Sequence, residues 1–200
     1  MDGTVIAMLH FNYSFDPWYD KCNNTWTASG SPNISSTNAK FGPSAMQINS
    51  GFIYCNNTLK LGGQDFTIDL WASITSGEYI LDMARSGSQG SRIFLCAGRC
   101  YADSSFSFTN SNPSGMNHYA LVYNNSTQKI TTYLNGVSMG TMNCNFTSEI
   151  TIPVFRIGQS TYSESSQGTI DAFRITNGVQ RWTENFTPPT KDDYEGGGQT

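Results

Sequence analysis

Residues 66–74, Phe66-Thr67-Ile68-Asp69-Leu70-Trp71-Ala72-Ser73-Ile74, alternate between two sets of side chains without a break. A period of two places Phe66, Ile68, Leu70, Ala72 and Ile74 on one face and Thr67, Asp69, Trp71 and Ser73 on the other. This is the pattern of a long strand with one side on a core and the other toward water. Similar alternation recurs in TVIAMLHF near the start and in EYILDMA, SRIFLCA, SFSFT, HYALVY, KITTYLN, VSMGTM, PVFRIG and GTIDAFRIT. Clusters of glycine, asparagine and serine separate these runs, so the chain reads as about a dozen strands joined by tight turns. Asn135-Gly136, between KITTYL and VSMGTM, fits a two-residue type I′ hairpin, because both central residues of that turn need positive φ. Gly62-Gly63 and Asn124-Asn125-Ser126 mark further reversals. Asn177-Gly178 opens the one short helix expected, GVQRWTE, which Pro188 and Pro189 end. One domain is therefore expected over residues 1–190, followed by a flexible polar C-terminal tail over residues 191–200.

Many antiparallel strands without crossover helices must bury their apolar faces against another sheet. The expected fold is all-β, a sandwich of two sheets and most simply a jelly roll. Composition agrees. The 200 residues are 38% hydrophobic and 13% aromatic, with 19 glycines, a mixture that favours strands and turns over long helices and allows one good core. Only 13% are charged, 15 acidic against 11 basic for a net charge of −4, so neutral side chains supply most of the polarity. The cations are dispersed and give no electrostatic footprint for nucleic acid or an anionic membrane. No apolar run approaches the ~20 residues of a membrane-spanning helix, so membrane insertion is not expected either. The opening MDGTVIAMLHFN lacks the basic segment of a secretory signal.

Five cysteines, Cys22, Cys55, Cys96, Cys100 and Cys144, leave at least one thiol over if the others pair within the chain. Cys96 and Cys100 could form half of a metal site, but no second close pair and neither histidine completes a tetrahedral set; small core or turn thiols are the favoured reading. Sequons at Asn12, Asn23, Asn33, Asn56, Asn124, Asn125, Asn145 and Asn185 would carry glycans in a eukaryotic secretory pathway. A chain rich in asparagine, serine and threonine also produces such triplets by chance.

Several segments run in a recognisable order: LHFN, KFGPSAMQI, FTIDLWASI, HYALVY with its hairpin into YLNGV, FRIGQ, and GTIDAFRITNGVQRWTENFTPP. Together, from about Thr4 to Pro189, they resemble a laminin G-like domain of the concanavalin A-like lectin/glucanase superfamily. The terminal stretch is similar to those in bacteriophage tail, prophage and bacterial surface proteins. The resemblance implies two curved antiparallel sheets, a use in binding carbohydrate or another surface ligand, and a structural calcium ion. Members of this kind often read HFD near the start and IDDFRI near the end; here Asn12 and Ala172 stand in those places, each neutral where a carboxylate is usual.

In TIDAFRIT the alternation sets Asp171 on the face of Phe173 and Ile175, where an ionised carboxylate needs a cation or several donors. Calcium held by Asp171 with oxygens near Asn12 and Asp16 is one expectation. The alternatives are a salt bridge to Arg156 or Arg174, or hydrogen bonds from turn amides. A sugar site wants exposed aromatic faces with amides and carboxylates beside them. Trp18 and Tyr19 in FDPWYD, Tyr101 and Asp103 in CYADSS, and Tyr162 in QSTYSESS are the candidates, whereas Trp71 and Trp182 are assigned to packing. Catalysis is not expected. Retaining glucanases need two carboxyl groups about 5 Å apart, yet no E-x-D-x-E pattern occurs, Asp69 and Glu78 stand alone, Asp192-Asp193 falls in the tail, and no nucleophile motif accompanies His10 or His118. A glycan- or surface-binding module of a virion or a bacterial surface is the leading expectation. The alternative is a structural or decoration domain that builds a homo-oligomer or a larger assembly.

Overall fold

The structure is a computed structural model that describes residues 3–13, 15–84, 92–102, 105–108, 113–160 and 165–195. Among these are the strands β1 (Thr4–Leu9), β2 (Trp26–Ser29), β3 (Asn33–Ser35), β4 (Ala45–Gln47), β5 (Phe52–Cys55), β6 (Leu59–Gly62), β7 (Phe66–Ser76), β8 (Tyr79–Ala84) and β9 (Arg92–Cys96). They continue as β10 (Arg99–Ala102), β11 (Ser105–Phe108), β12 (Asn117–Asn124), β13 (Lys129–Leu134), β14 (Val137–Asn143), β15 (Glu149–Ile152), β16 (Val154–Ile157) and β17 (Gln167–Asn177), and the chain closes on a short helix, α1 (Lys191–Glu195).

The strands form an eight-stranded sheet, β14-β13-β12-β7-β17-β4-β3 with β1 also on β17, and a seven-stranded sheet, β11-β10-β9-β8-β16-β5-β2. A two-stranded ribbon joins β15 to β6. Neighbouring strands are antiparallel throughout, as expected for a jelly-roll sandwich. One core fills the space between the sheets. Phe66, Ile68, Leu70, Phe173 and Ile175 from the eight-stranded sheet share it with Ile53, Leu81, Met83, Ile93, Leu95 and Phe155 from the seven-stranded sheet, all nearly or fully buried. No helix among the described residues is long and apolar enough to cross a membrane.

The Asn135-Gly136 hairpin forms as expected: Leu134 pairs with Val137, and the two turn residues have φ of 51° and 79°. Three other expectations are corrected. First, β7 is buried on both sides, Thr67, Asp69 and Trp71 included. Second, no helix forms at residues 178–184. The segment lies along the sheet, where Thr67 Oγ1 donates to Val179 O at 3.0 Å and accepts from Arg181 N at 3.0 Å. Gln180 reaches Asp65 Oδ2 at 3.1 Å, and Arg181 Nε donates to Thr176 Oγ1 at 2.8 Å. Third, of the tail expected over residues 191–200, residues 191–195 form α1, while residues 196–200 lie outside the described residues. Asp193 in the first turn reaches back to the start of this helix, Oδ2 accepting from the Thr190 N–H at 2.6 Å and from the Thr190 hydroxyl at 2.9 Å.

These corrections have one cause. Residues 179–195 cross the outer face of the eight-stranded sheet as a strap. Trp182 and Phe186 stack on each other, centroids 4.0 Å apart, and pack against Ala120, Val122 and Tyr133. Further along, Tyr194 packs with Trp71 and Ala172. The strap is also tied to the hairpin, where Phe186 N donates to Gly136 O at 2.9 Å and Ser138 N to Asn185 Oδ1 at 2.9 Å. A Cβ on Gly136 would stand 1.8 Å from Phe186 O. Glycine is therefore required there both by the turn and by the strap.

Candidate functional site

The polar side chains that β7, β12 and β17 turn outward form a closed box beneath the strap. Asp69, fully buried, accepts from Arg174 Nε at 3.0 Å and Nη2 at 2.9 Å, and from the Tyr194 hydroxyl. His118 Nε2 lies 3.4 Å from both Asp69 Oδ2 and the Tyr194 hydroxyl oxygen. The Arg174 guanidinium stands 4.4 Å over the Tyr194 ring, and its Nη1 donates to Asp193 O at 2.9 Å. Burial alone would raise the Asp69 carboxyl, but Arg174 and His118 outweigh it and hold the group well below the usual carboxylate range. Burial, and then the Asp69 charge, pushes the Tyr194 phenol well above its ordinary value. With Asp69 and His118 at zero exposure, this box offers no access to a substrate and acts as a structural pin.

Asp171 does not share a face with Phe173 and Ile175. The pairing of β17 with β7 shifts between Asp171 and Arg174, and Ala172 has φ of 50°, so a β-bulge changes the parity of the strand. Asp171 consequently stands opposite Trp71, outside the core. Its Oδ2 accepts from Lys40 N and Phe41 N, both at 2.9 Å, and its Oδ1 from Ala172 N at 2.8 Å. Of the expected partners, turn amides are the ones present; Arg174 is committed to Asp69. Burial raises the Asp171 carboxyl to about 6, the three amides offsetting part of the rise. Asn12 meets the same segment, its Oδ1 accepting from Ser44 N at 3.3 Å, whereas Asp16 is exposed and accepts from Trp18 N at 3.0 Å within its own turn. All three expected calcium ligands therefore have N–H donors on their side-chain oxygens. Ala172, where a carboxylate is usual, is buried against Trp71 and Tyr194.

The remaining sugar-site candidates separate into two places. Trp18 packs on the core edge-on to Phe11, centroids 6.4 Å apart. Tyr19 belongs to a surface cluster, 4.8 Å from Tyr13 and 5.8 Å from Phe15, and the Phe15 side chain is 75% exposed. Tyr101 lies elsewhere, on the outer face of the seven-stranded sheet. Asp103 and Tyr162 lie outside the described residues.

That outer face carries a pattern that spans the whole sheet. Phe106 stands opposite Tyr101, Tyr101 opposite Phe94, Phe94 opposite Asp82, Asp82 opposite Arg156, Arg156 opposite Tyr54, and Tyr54 opposite Thr27. One register row thus crosses seven strands. Within it the Phe94 and Tyr101 rings stack at 4.9 Å and 11°, with Tyr79 5.8 Å from Phe94. Towards the other edge Phe52 lies 6.1 Å from Tyr54, and the Arg156 guanidinium stands 4.9 Å over the Phe52 ring. Tyr54, Tyr79, Tyr101, Phe52 and Arg156 are half-buried, so each keeps a part open to a ligand, while Asp82 is fully buried. Reasoning from loops missed Phe52, Tyr54, Phe94 and Arg156. Their signal was the parity of FIYC, SRIFLCA and PVFRIG, in which these residues alternate with the buried Ile53, Ile93, Leu95, Phe155 and Ile157.

Comparison with known proteins bears on the same architecture. Residues 49–184 match the family model described as the concanavalin A-like lectin/glucanases superfamily. No curated protein matches the chain in sequence. Among solved structures, domain 4 of a GH43 extracellular arabinanase from Geobacillus stearothermophilus, in complex with arabinotriose, is similar at TM-score 0.65 and 19% identity, over 90% of this chain and 95% of that one. The binding domain of botulinum neurotoxin serotype D is similar at TM-score 0.61 and 14% identity, over 96% of this chain but 52% of that one, so this chain spans about half its length. The lectin UEA-II complexed with galactose is similar at TM-score 0.54 and 9% identity, over 90% of this chain and all of that one (100%). At these identities the likeness is one of fold.

Proposed function

Because the chain belongs to the concanavalin A-like lectin/glucanase superfamily, we propose that it is a non-catalytic module that binds carbohydrate on the outer face of its seven-stranded sheet. The register row from Thr27 to Tyr101 carries this reading. Half-buried aromatic rings offer flat apolar surfaces for the C–H faces of sugars, and the polar groups between them can meet hydroxyls. On the opposite sheet the strap packs over β7, β12, β13 and β17, which closes the corresponding face to a ligand. The structural neighbours support the assignment through their own ligands, arabinotriose for the arabinanase domain and galactose for the lectin. A non-catalytic role accords with the use of the carboxylates: Asp69 is held by Arg174, Glu78 by Arg99 and Glu149 by Lys60. The terminal stretch GTIDAFRITNGVQRWTENFTPP, similar to those of phage tail and bacterial surface proteins, is the basis for placing the module on a virion or a bacterial surface.

The test is a glycan-array screen of the folded chain beside Tyr54→Ala and Tyr101→Ala, each run with calcium and with chelator. Binding by the parent chain that both variants lose supports the site. Loss with chelator supports a bound calcium ion, for which Asn12, Asp16 and Asp171 are the candidate ligands. A blank array from folded protein overturns the carbohydrate reading. One observation favours the second reading, a contact domain within an assembly: Phe15 stands 75% exposed beside Tyr13 and Tyr19, an apolar patch of the kind that partners cover. Sedimentation of the parent chain and of Phe15→Ser tests it, and an unchanged monomer in both counts against self-assembly through that patch.

A further inference from the structure

Arg156 is used differently from the paired cations of the chain. Arg174 is matched to Asp69, Arg99 to Glu78 and Lys60 to Glu149. Arg156 has no carboxylate within ion-pair distance among the described residues, although it stands directly opposite Asp82 in the register. Its guanidinium leans the other way, along β16. Nη1 donates to Ser160 O at 3.1 Å and to Gln159 Oε1 at 3.4 Å, and the group lies 4.9 Å over the Phe52 ring. Both acceptors are neutral, and both are met by Nη1. Nη2 and Nε are left without a partner among the described residues.

An arginine fixed over an aromatic ring, with two donors of its planar fork unspent, is arranged to receive an anion in two parallel bonds. The orientation is set before any ligand arrives, so little side-chain freedom remains to be lost on binding. The surroundings are those of the proposed sugar face, since the half-buried Tyr54 lies across the strand pair from Arg156. Directly opposed side chains in an antiparallel pair have Cβ atoms about 5 Å apart, within the span of one sugar ring. Asp82, directly opposite and fully buried, forms no ion pair with Arg156.

We propose that Arg156 determines the specificity of this face and that the glycan it takes is acidic, its anionic group seated on Nη2 and Nε while the ring lies against Tyr54. The inference rests on the carbohydrate reading and narrows it to one class. A carboxylate, as in uronic or sialic acids, and a sulfate ester share the chemistry that the fork recognises.

The experiment is calorimetric titration of the full chain with a uronic-acid hexasaccharide, its carboxyl-reduced neutral counterpart, sialyllactose, lactose and a sulfated hexasaccharide. We expect an acidic probe to bind about 10- to 100-fold more tightly than its neutral counterpart, as charge-assisted bonds imply. Arg156→Gln should erase that ratio, and Arg156→Lys, which keeps the charge without the fork, should restore part of it. Tightest binding of the uronate or sialyl probe assigns a carboxylate ligand, and tightest binding of the sulfated probe assigns a sulfate ester; either supports the proposal. Thermal melting checks that the variants fold, and the comparison of acidic with neutral probes on the parent chain stands without any variant. Neutral glycans bound as tightly as acidic ones overturn the proposal and leave the carbohydrate reading intact. Failure of every probe, acidic and neutral, overturns the proposal, and a blank array beside it removes the carbohydrate reading as well.

Discussion

Replacing Arg174 by methionine strands a carboxylate that has no exposure. Asp69 would keep the Tyr194 hydroxyl and its neighbour His118 but lose two guanidinium bonds of 3.0 and 2.9 Å. Removing one partner of a buried ion pair costs about 3–5 kcal/mol, a large part of the roughly 5–15 kcal/mol that holds a domain together. The change also removes the cation over the Tyr194 ring and the bond to Asp193 O, so α1 loses its hold as well. The double variant Asp69→Leu with Arg174→Met should recover most of the loss, because an apolar pair of similar volume leaves no charge to desolvate. The sign of the pH response should reverse too. In the parent chain the Asp69 carboxyl lies below its unfolded value, so its contribution is present above about pH 4 and lost as the pH falls. With Arg174 gone, burial raises the carboxyl, and the single variant should gain stability on mild acidification. Urea titration followed by tryptophan fluorescence reads this directly, since Trp71 and Trp182 both sit on the strapped face. A loss below about 1 kcal/mol in the single variant, or a double variant no better than the single, would show that the buried Asp69–Arg174 pair does not hold the strapped face.

Other expectations are narrower. The Asp171 carboxyl, raised to about 6, opposes folding above that pH, and the penalty fades between pH 6 and about 4 as the folded state takes up the proton. Asp171→Asn should therefore gain on the parent chain between pH 4 and pH 8 by up to about 3 kcal/mol, and a difference in melting temperature that does not vary with pH counts against it. Gly136→Ala should cost more than about 2 kcal/mol, because the new methyl meets Phe186 O at 1.8 Å. Gly115→Ala, also at positive φ but with no non-neighbouring atom of the described residues within 4 Å of the new methyl, should cost only about 1 kcal/mol; equal losses at the two glycines would show that the strap contact contributes nothing. Burial pushes the Cys55 thiol up to about 11 and Cys96 to about 12, and it holds Cys100 well above its ordinary value. These thiols should resist alkylation at pH 8 until urea unfolds the chain, and rapid labelling of any of them in the native state, read by mass spectrometry, would contradict their burial.

The residues that face the inter-sheet core were legible because their signal is local. Phe66, Ile68 and Leu70 alternate within a few positions, and Asn135-Gly136 announces its turn by the φ values it tolerates. The failures have nonlocal causes. Nothing near Asp69 or Trp71 indicates that a segment more than a hundred residues later will cover them. The bulge at Ala172 inverts the parity on which the placement of Asp171 depended. The candidate ligand face was half legible. Tyr101 was singled out for its polar setting, but Tyr54, Phe94 and Arg156 sit inside strands, where aromatic and long side chains pass for core unless the parity of each run is followed.

The strap has a practical corollary for how the domain can be cut from its sequence. An expression boundary drawn at Pro189 would leave Asp69 and Arg174 in place but discard Tyr194, whose hydroxyl donates to Asp69 and whose ring covers Arg174. The sheet would still pair, yet Trp71 and Ala172 would lose the ring that covers them. Such a fragment should be soluble only briefly and prone to self-association through that opened face. An affinity tag joined directly at residue 190 risks the same damage, whereas one placed beyond Glu195 leaves the seal intact.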